Sequence, residues 1–219
     1  VEPVSVIIPA YNEEERIGRT LAVLRNQQWV QELIVVDDGS SDRTGDEARQ
    51  HTDDVLRHSE NMGKAKAILT GVERAQSSLL LLLDADLEDS AILAKSLLVP
   101  IWENEADMTI AIFPPALQSG FGLVKRVASW AIYRQTGQSV QAPLCGQRAI
   151  RKKAFDQCYR GDRGFGIEVG LTLDFIRSGY RVSEVPIAFS HREMGRDIRG
   201  FTHRFKQGLA VCHSLISRR

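Results

Sequence analysis

The chain has 219 residues, 43% hydrophobic and 26% charged, which suits one α/β domain, or one domain with a small helical appendage, and excludes a disordered chain. Lys plus Arg and Asp plus Glu both number 28, so no net charge draws the protein to nucleic acid. The longest continuous apolar run, Leu79 to Leu83, is far short of the ~20 residues that cross a bilayer, and no charged-then-apolar signal segment opens the sequence.

Val4 to Ile8 is a β-rich run stopped by Pro9, and Tyr11-Asn12-Glu13 begins a loop. Glu13 to Leu24 carries apolar residues at Ile17, Leu21 and Leu24, a helical spacing. Leu33 to Val36 is a second buried-type strand, ending in Asp37-Asp38-Gly39-Ser40, and Ser41 to Thr44 leads to another helix. Val55 to Arg57 is a weaker strand, Asn61-Met62-Gly63 a turn, and Lys64 to Ala75 a helix. Leu79 to Leu83 reads as a buried parallel strand with Asp84-Ala85-Asp86 at its carboxyl end. Ile92 to Ile101 is expected to be helical, Met108 to Phe113 a strand, Pro114 to Gly122 a loop, and Leu123 to Tyr133 a helix. Arg148 to Arg151 is a strand before a helix at Lys152 to Tyr159, and Gly161 to Gly166 is a Gly-rich loop before a helix holding Glu168. Tyr180 to Ile187 is a last strand, with Pro186 favouring an edge or terminus. Phe201 to Ile216 is expected to be helical. Strand–helix alternation with nearly all-apolar strands predicts a mainly parallel sheet covered on both faces, with ligands beyond the carboxyl ends of the strands.

Two carboxylates one residue apart after a buried strand, Asp84 and Asp86, can approach one cation, and carboxylate oxygens suit Mg²⁺ or Mn²⁺, which in turn hold a diphosphate. The same residues would also serve as an acidic loop capping the next helix. Asp37 and Asp38 form a similar pair: one orients the loop while the other accepts from a base or ribose, or the segment is merely a turn. Lys64 follows Gly63 at a helix start, where amide donors and a cation meet phosphate, but GxxxxGK[ST] is absent and an ATP-binding P-loop is unsupported. His191 can complete a metal site or be a surface histidine. Glu168 can orient a hydroxyl, act as a base, or sit in a salt bridge. Cys145, Cys158 and Cys212 lack CxxC spacing and leave one unpaired in any scheme, favouring a reducing compartment, with Cys145 as small packing. From Arg192 to Arg219 there are seven basic residues against Glu193 and Asp197, a stretch that suits phosphates, an anionic membrane, or simply solvent.

Val6 to Glu13, Ile34 to Asp42, Asn61 to Lys64 and Asp84-Ala85-Asp86 together resemble the GT-A glycosyltransferases of family 2, in the expected order over the first 90 or so residues. The resemblance implies a GT-A, Rossmann-like, mostly parallel central sheet flanked by helices. It implies nucleotide-sugar binding by Pro9, Ala10, Tyr11, Glu13, Asp38, Lys64, Asp84 and Ala85. Pro143 to Ala149, Gly164 to Gly170 and His191-Arg192 are similar to glucosyl-3-phosphoglycerate synthases and related enzymes, although the chain is shorter and Cys145 to Arg148 departs from their usual acceptor-side sequence. That likeness implies a metal held by Asp84, Asp86 and His191, with Asp86 and Glu168 catalytic and Glu168 on the transferred sugar. It further implies an acceptor or phosphate near Gly122, Lys125, Gly146 and Arg192, and retention of the anomeric configuration. The expected partners are a nucleotide-sugar donor (UDP-glucose favoured, a GDP-sugar as the alternative), a small polar or phosphorylated acceptor, no nucleic acid, and a second copy in a homodimer. The expected cofactor is Mg²⁺ or Mn²⁺, and the expected location is the cytoplasm, with peripheral contact at the inner face of the membrane as a variant. Residues 1–113 are expected to bind donor mainly, and 114–219 to form the acceptor side and a helical end. The rivals are an inverting polyprenol-phosphate glycosyltransferase and a non-catalytic nucleotide-sugar-binding protein.

Overall fold

The computed structural model describes residues 2–113, 122–160 and 166–189. The strands are β1 (Val4–Ala10), β2 (Val30–Asp37), β3 (Val55–Arg57), β4 (Leu79–Leu82), β5 (Met108–Ile112), β6 (Arg148–Arg151) and β7 (Val182–Pro186). The helices are α1 (Ile17–Leu24), α2 (Thr44–Arg49), α3 (Lys64–Arg74), α4 (Lys95–Trp102), α5 (Gly122–Thr136), α6 (Lys152–Cys158) and α7 (Gly166–Arg177), with a 3₁₀ segment at Glu88–Ala94 before α4.

The strands form one sheet in the order β3-β2-β1-β4-β6-β5-β7. All pairings are parallel except the two made by β6, which runs against both β4 and β5. The expected α/β, mostly parallel architecture is therefore present, with one reversed strand that the apolar pattern of Arg148 to Arg151 does not announce. The reversal matters for the site. Because β6 starts where β4 and β5 finish (Arg148 lies opposite Leu82 and Ile110), the residues just before it arrive at the carboxyl ends of the parallel strands.

The core follows from the strand composition. Val6, Ile7, Ile8, Ile34, Val35, Val36 and Leu79 to Leu82 are buried, as strands covered on both faces require. On α1, Ile17, Thr20, Leu21 and Leu24 form one buried face at helical spacing. By contrast α7 is buried at every position from Gly166 to Phe175, so this helix runs through the interior and carries Glu168 there.

Among the boundaries that differ from the expectation are the end of β1, the start of α1 and the start of α4. Strand β1 is not stopped by Pro9 but continues to Ala10. The Leu83 amide donates to Ile7 O and the Asp38 amide to Ala10 O, so odd positions of β1 face β4 and even positions face β2. Pro9 therefore lacks its N–H on the side where β4 has already ended, and no ladder bond is lost. Helix α1 begins at Ile17 rather than Glu13: the Glu13 carbonyl takes both the Arg16 and Ile17 amides in a tight turn, and Arg16 just before the helix holds φ at −123°. The helix expected from Ile92 is instead 3₁₀ up to Ala94 and α-helical from Lys95. The expected helix over 201–216 and the loops over 114–121 and 161–165 lie outside the described residues.

Candidate functional site

Two loops at the carboxyl ends of β1 and β2 are knitted together by side chains. The Asn12 amide donates to Ser40 Oγ (3.0 Å), the Ser41 amide returns to Asn12 Oδ1 (2.9 Å), and the Glu13 amide donates to Thr44 Oγ1 (2.8 Å). Tyr11 stands out from this seam, 47% exposed, while Ala10 beneath it is buried. Gly39 has φ +72°, and a Cβ there would lie 2.5 Å from the Glu60 carbonyl carbon, so only glycine lets the β2 loop pass the segment after β3.

Asp37 and Asp38 are both buried and both employed inside the protein. Asp37 Oδ1 accepts from the Ser40 amide (2.9 Å), and the Arg57 guanidinium lies 3.4 Å from Oδ2. Asp38 Oδ1 accepts from the Met62 amide (2.9 Å) and lies 2.7 Å from His58 Nδ1; Oδ2 accepts from the Gly63 amide (2.8 Å). An acceptor-only carboxylate places a proton on His58 Nδ1, and Nε2 lies 3.0 Å from Thr70 Oγ1. Asp38 thus shapes the turn that delivers Lys64 to the first position of α3.

Lys64, Asp84 and Glu168, which come from three distant segments, meet at one place. Lys64 Nζ donates to Asp84 Oδ1 at 2.8 Å and lies 3.5 Å from Glu168 Oε1. Gly146 makes room for this, since a Cβ there would sit 2.5 Å from Lys64 Nζ and 3.3 Å from Asp84 Oδ1. Gln147 Nε2 donates to Asp84 Oδ2 at 2.5 Å. The Asp84-Ala85-Asp86 turn is tied to α1, because Thr20 Oγ1 donates to Ala85 O and receives the Glu88 amide, both at 2.8 Å. Asp86, one residue past Ala85, is half-buried. Underneath, the guanidinium of Arg148 is completely buried and donates to Cys145 O, Pro143 O and Thr172 Oγ1, and that hydroxyl donates to Glu168 O.

These charges tune one another. Burial alone would lower the Lys64 ammonium, but the Asp84 and Glu168 charges outweigh it and raise Lys64 above the usual lysine range. Burial raises the Glu168 carboxyl above its ordinary range against the pull of Lys64 and Arg148, and Glu168 Oε2 is buried with no hydrogen-bond partner among the described residues. Burial likewise pushes the Cys145 thiol up to about 12, so it stays protonated. The site therefore holds a fixed cation, an acceptor carboxylate, and an acid whose protonated form is favoured relative to an exposed glutamate.

Carboxylate oxygens of Asp84 and Asp86 match in kind what Mg²⁺ or Mn²⁺ prefers. Among the described residues, however, no three His, Cys, Asp or Glu side chains gather as a metal-binding set. His191 and Arg192 lie outside the described residues. Gly122 and Lys125 lie in the first turn of α5, a helix that packs on α7. Sequence reading gave His58 and Gln147 no role; the one available signal for Gln147 was a pair of long polar side chains, Gln147-Arg148, opening an apolar strand.

Comparison with known proteins extends these observations. The glycosyl transferase family 2 profile matches residues 5–158. An undecaprenyl-phosphate mannosyltransferase of Micrococcus luteus is 31% identical over 88% of this chain and 85% of its own length. A dolichol-phosphate mannosyltransferase of Pyrococcus furiosus is 29% identical over 88% of this chain, which spans only 58% of that relative's length. In fold, the chain resembles the crystal structure of glucosyl-3-phosphoglycerate synthase from Mycobacterium tuberculosis in complex with Mn²⁺, UDP-glucose and phosphoglyceric acid. The TM-score is 0.84 and the identity 24%, covering 99% of this chain and 79% of the other. No helix among the described residues is long and apolar enough to cross a membrane.

Proposed function

The chain belongs to glycosyl transferase family 2, and on that premise we propose that it moves a sugar, with glucose first, from a nucleoside-diphosphate donor to a small polar or phosphorylated acceptor. The observation that carries this reading is the meeting of Lys64 with Asp84 and Glu168 at the carboxyl ends of the strands, beside the Asp84-Ala85-Asp86 turn. Ligands of open α/β sheets bind at that end.

In this reading, Pro9 to Glu13 and the Asp38-held turn form the donor pocket, and residues 1–113 serve mainly the donor. Residues 114–219 serve the acceptor, with Gly122, Lys125, Gly146 and Arg192 on that side. Asp38 acts by holding the Met62 and Gly63 amides in place. Asp84, Asp86 and His191 would hold Mg²⁺ or Mn²⁺, which when bound neutralises the diphosphate as the sugar–phosphate bond breaks. Lys64 adds a second positive charge for the same phosphates, on a side chain long enough to leave Asp84 for them. Glu168 holds a sugar hydroxyl through a hydrogen bond and need not remove a proton.

A second reading, an inverting transfer to polyprenyl phosphate, is favoured by the 31% identity to the Micrococcus enzyme. It also draws on the basic stretch from Arg192, which would then meet an anionic membrane surface. One assay separates the readings. UDP-glucose and GDP-mannose are each offered with Mn²⁺ to 3-phosphoglycerate, glycerate and polyprenyl phosphate, and the anomer of any product is read by NMR. Transfer to a small acceptor with retention is expected. Inverted product on polyprenyl phosphate would overturn the preferred acceptor class, and donor binding without transfer or hydrolysis would leave only a binding protein.

A further inference from the structure

Asp84 is gripped on both carboxylate oxygens, and the two grips are unlike. Lys64 reaches Oδ1 at 2.8 Å from the end of a flexible stem. Gln147 reaches Oδ2 at 2.5 Å from a backbone position fixed between strands, where its own carbonyl accepts the Ala111 amide at 3.0 Å. Gln147 is 3% exposed, so it has little freedom to turn away. A carboxylate only accepts, so the amide must present its NH₂ to Asp84 and its carbonyl oxygen to the opposite side. There the Cys145 sulfur lies 3.0 Å from Gln147 Oε1, and a protonated thiol donates to it.

We propose that Gln147 is a positioning residue for the Asp84-Ala85-Asp86 turn, with its amide sense fixed by the Cys145 thiol. Its task is to hold the Asp84 carboxylate in one rotamer when Lys64 leaves it for the donor's phosphates. Of the two grips, only the Lys64 grip can be exchanged. The carboxylate then offers Oδ1 to an incoming divalent cation without having to be re-oriented, and affinity for the cation–nucleotide pair depends on a residue that touches neither. This inference rests on the nucleotide-sugar reading of the site.

The test is calorimetric titration of UDP into the full chain, with Mn²⁺ and separately with EDTA, for the parent, Gln147→Leu, Cys145→Ala and Cys145→Ser. Gln147→Leu is expected to lose about tenfold of the gain in UDP affinity that Mn²⁺ confers, the scale of one hydrogen bond to a charged group. UDP binding in EDTA should stay within about twofold of the parent, because Lys64 and the turn amides remain. Cys145→Ala should show part of the loss, and Cys145→Ser, which restores a donor, should recover it. A purely structural role would weaken both titrations together and lower the melting temperature, with serine no better than alanine. Retention of the full Mn²⁺ gain in Gln147→Leu would overturn the inference, as would equal behaviour of the two Cys145 variants. If Gln147→Leu does not fold, the Cys145 pair decides alone. A parent that binds no UDP under either condition would overturn the donor-site reading itself; a binding parent with unchanged variants would overturn only the role of Gln147.

Discussion

Arg148 places a guanidinium where water does not reach, 1% exposed, with Cys145 O, Pro143 O and Thr172 Oγ1 as its partners. Burial pulls it below the usual arginine range, yet the group has a structural task as a cation. It gathers the 143–145 segment against α7 and offsets the buried Glu168. Arg148→Met keeps the stem and removes every donor, leaving three acceptors unpaired in the interior. The expected loss of unfolding free energy is about 3–5 kcal/mol, the scale of several buried acceptors left without a donor at about 1–3 kcal/mol each. Urea titration followed by circular dichroism measures it, and a loss under about 1 kcal/mol would mean that water replaces the guanidinium.

At the opposite end of the sheet, one side chain joins three strands. Glu32 in β2 receives the Ser5 hydroxyl from β1, and the Gln76 and Ser77 amides and the Ser77 hydroxyl from the turn before β4. Burial alone would raise this carboxyl; the donors outweigh it and hold Glu32 below the ordinary 4.5. A depressed carboxylate contributes stability above its unfolded pKa and loses it as the pH falls through the folded one. Glu32→Gln should therefore cost about 1–2 kcal/mol at neutral pH. The gap between parent and variant should close as the pH falls below 4.5. A gap that stays constant down to the acid transition would remove charge from the account. Elements of this kind show how far the sequence could be read. Apolar runs located β1, β2, β4 and β5, since burial on both faces leaves that mark. Direction leaves no such mark, which is why the reversal of β6 was not legible. The starts of α1 and α4 were misplaced because local backbone geometry, Arg16 at φ −123° and the 3₁₀ segment through Ala94, leaves no mark in the spacing of apolar residues.

Over the whole molecule, the family match ends at Cys158, but the cooperative unit does not. Helix α7 is buried throughout from Gly166 to Phe175, and β7 supplies the only strand partner β5 has besides β6 among the described residues. A chain ending at Cys158 is expected to lose its sigmoidal unfolding transition and its near-ultraviolet dichroism, though it keeps most of the sequence motifs. A cooperative transition in that fragment would show that the first half stands alone. Lys64, Asp84 and Glu168 lay in recognisable patterns, whereas their meeting with one another and with Gln147 and Cys145 comes through α7 and the segment that enters β6, contacts that only the complete sheet creates. Pro9 has a consequence on this same scale. Where β1 outruns β4, its bare flank offers no N–H for another strand to pair with. A second copy of the chain therefore cannot extend the sheet through a ladder bond at Pro9.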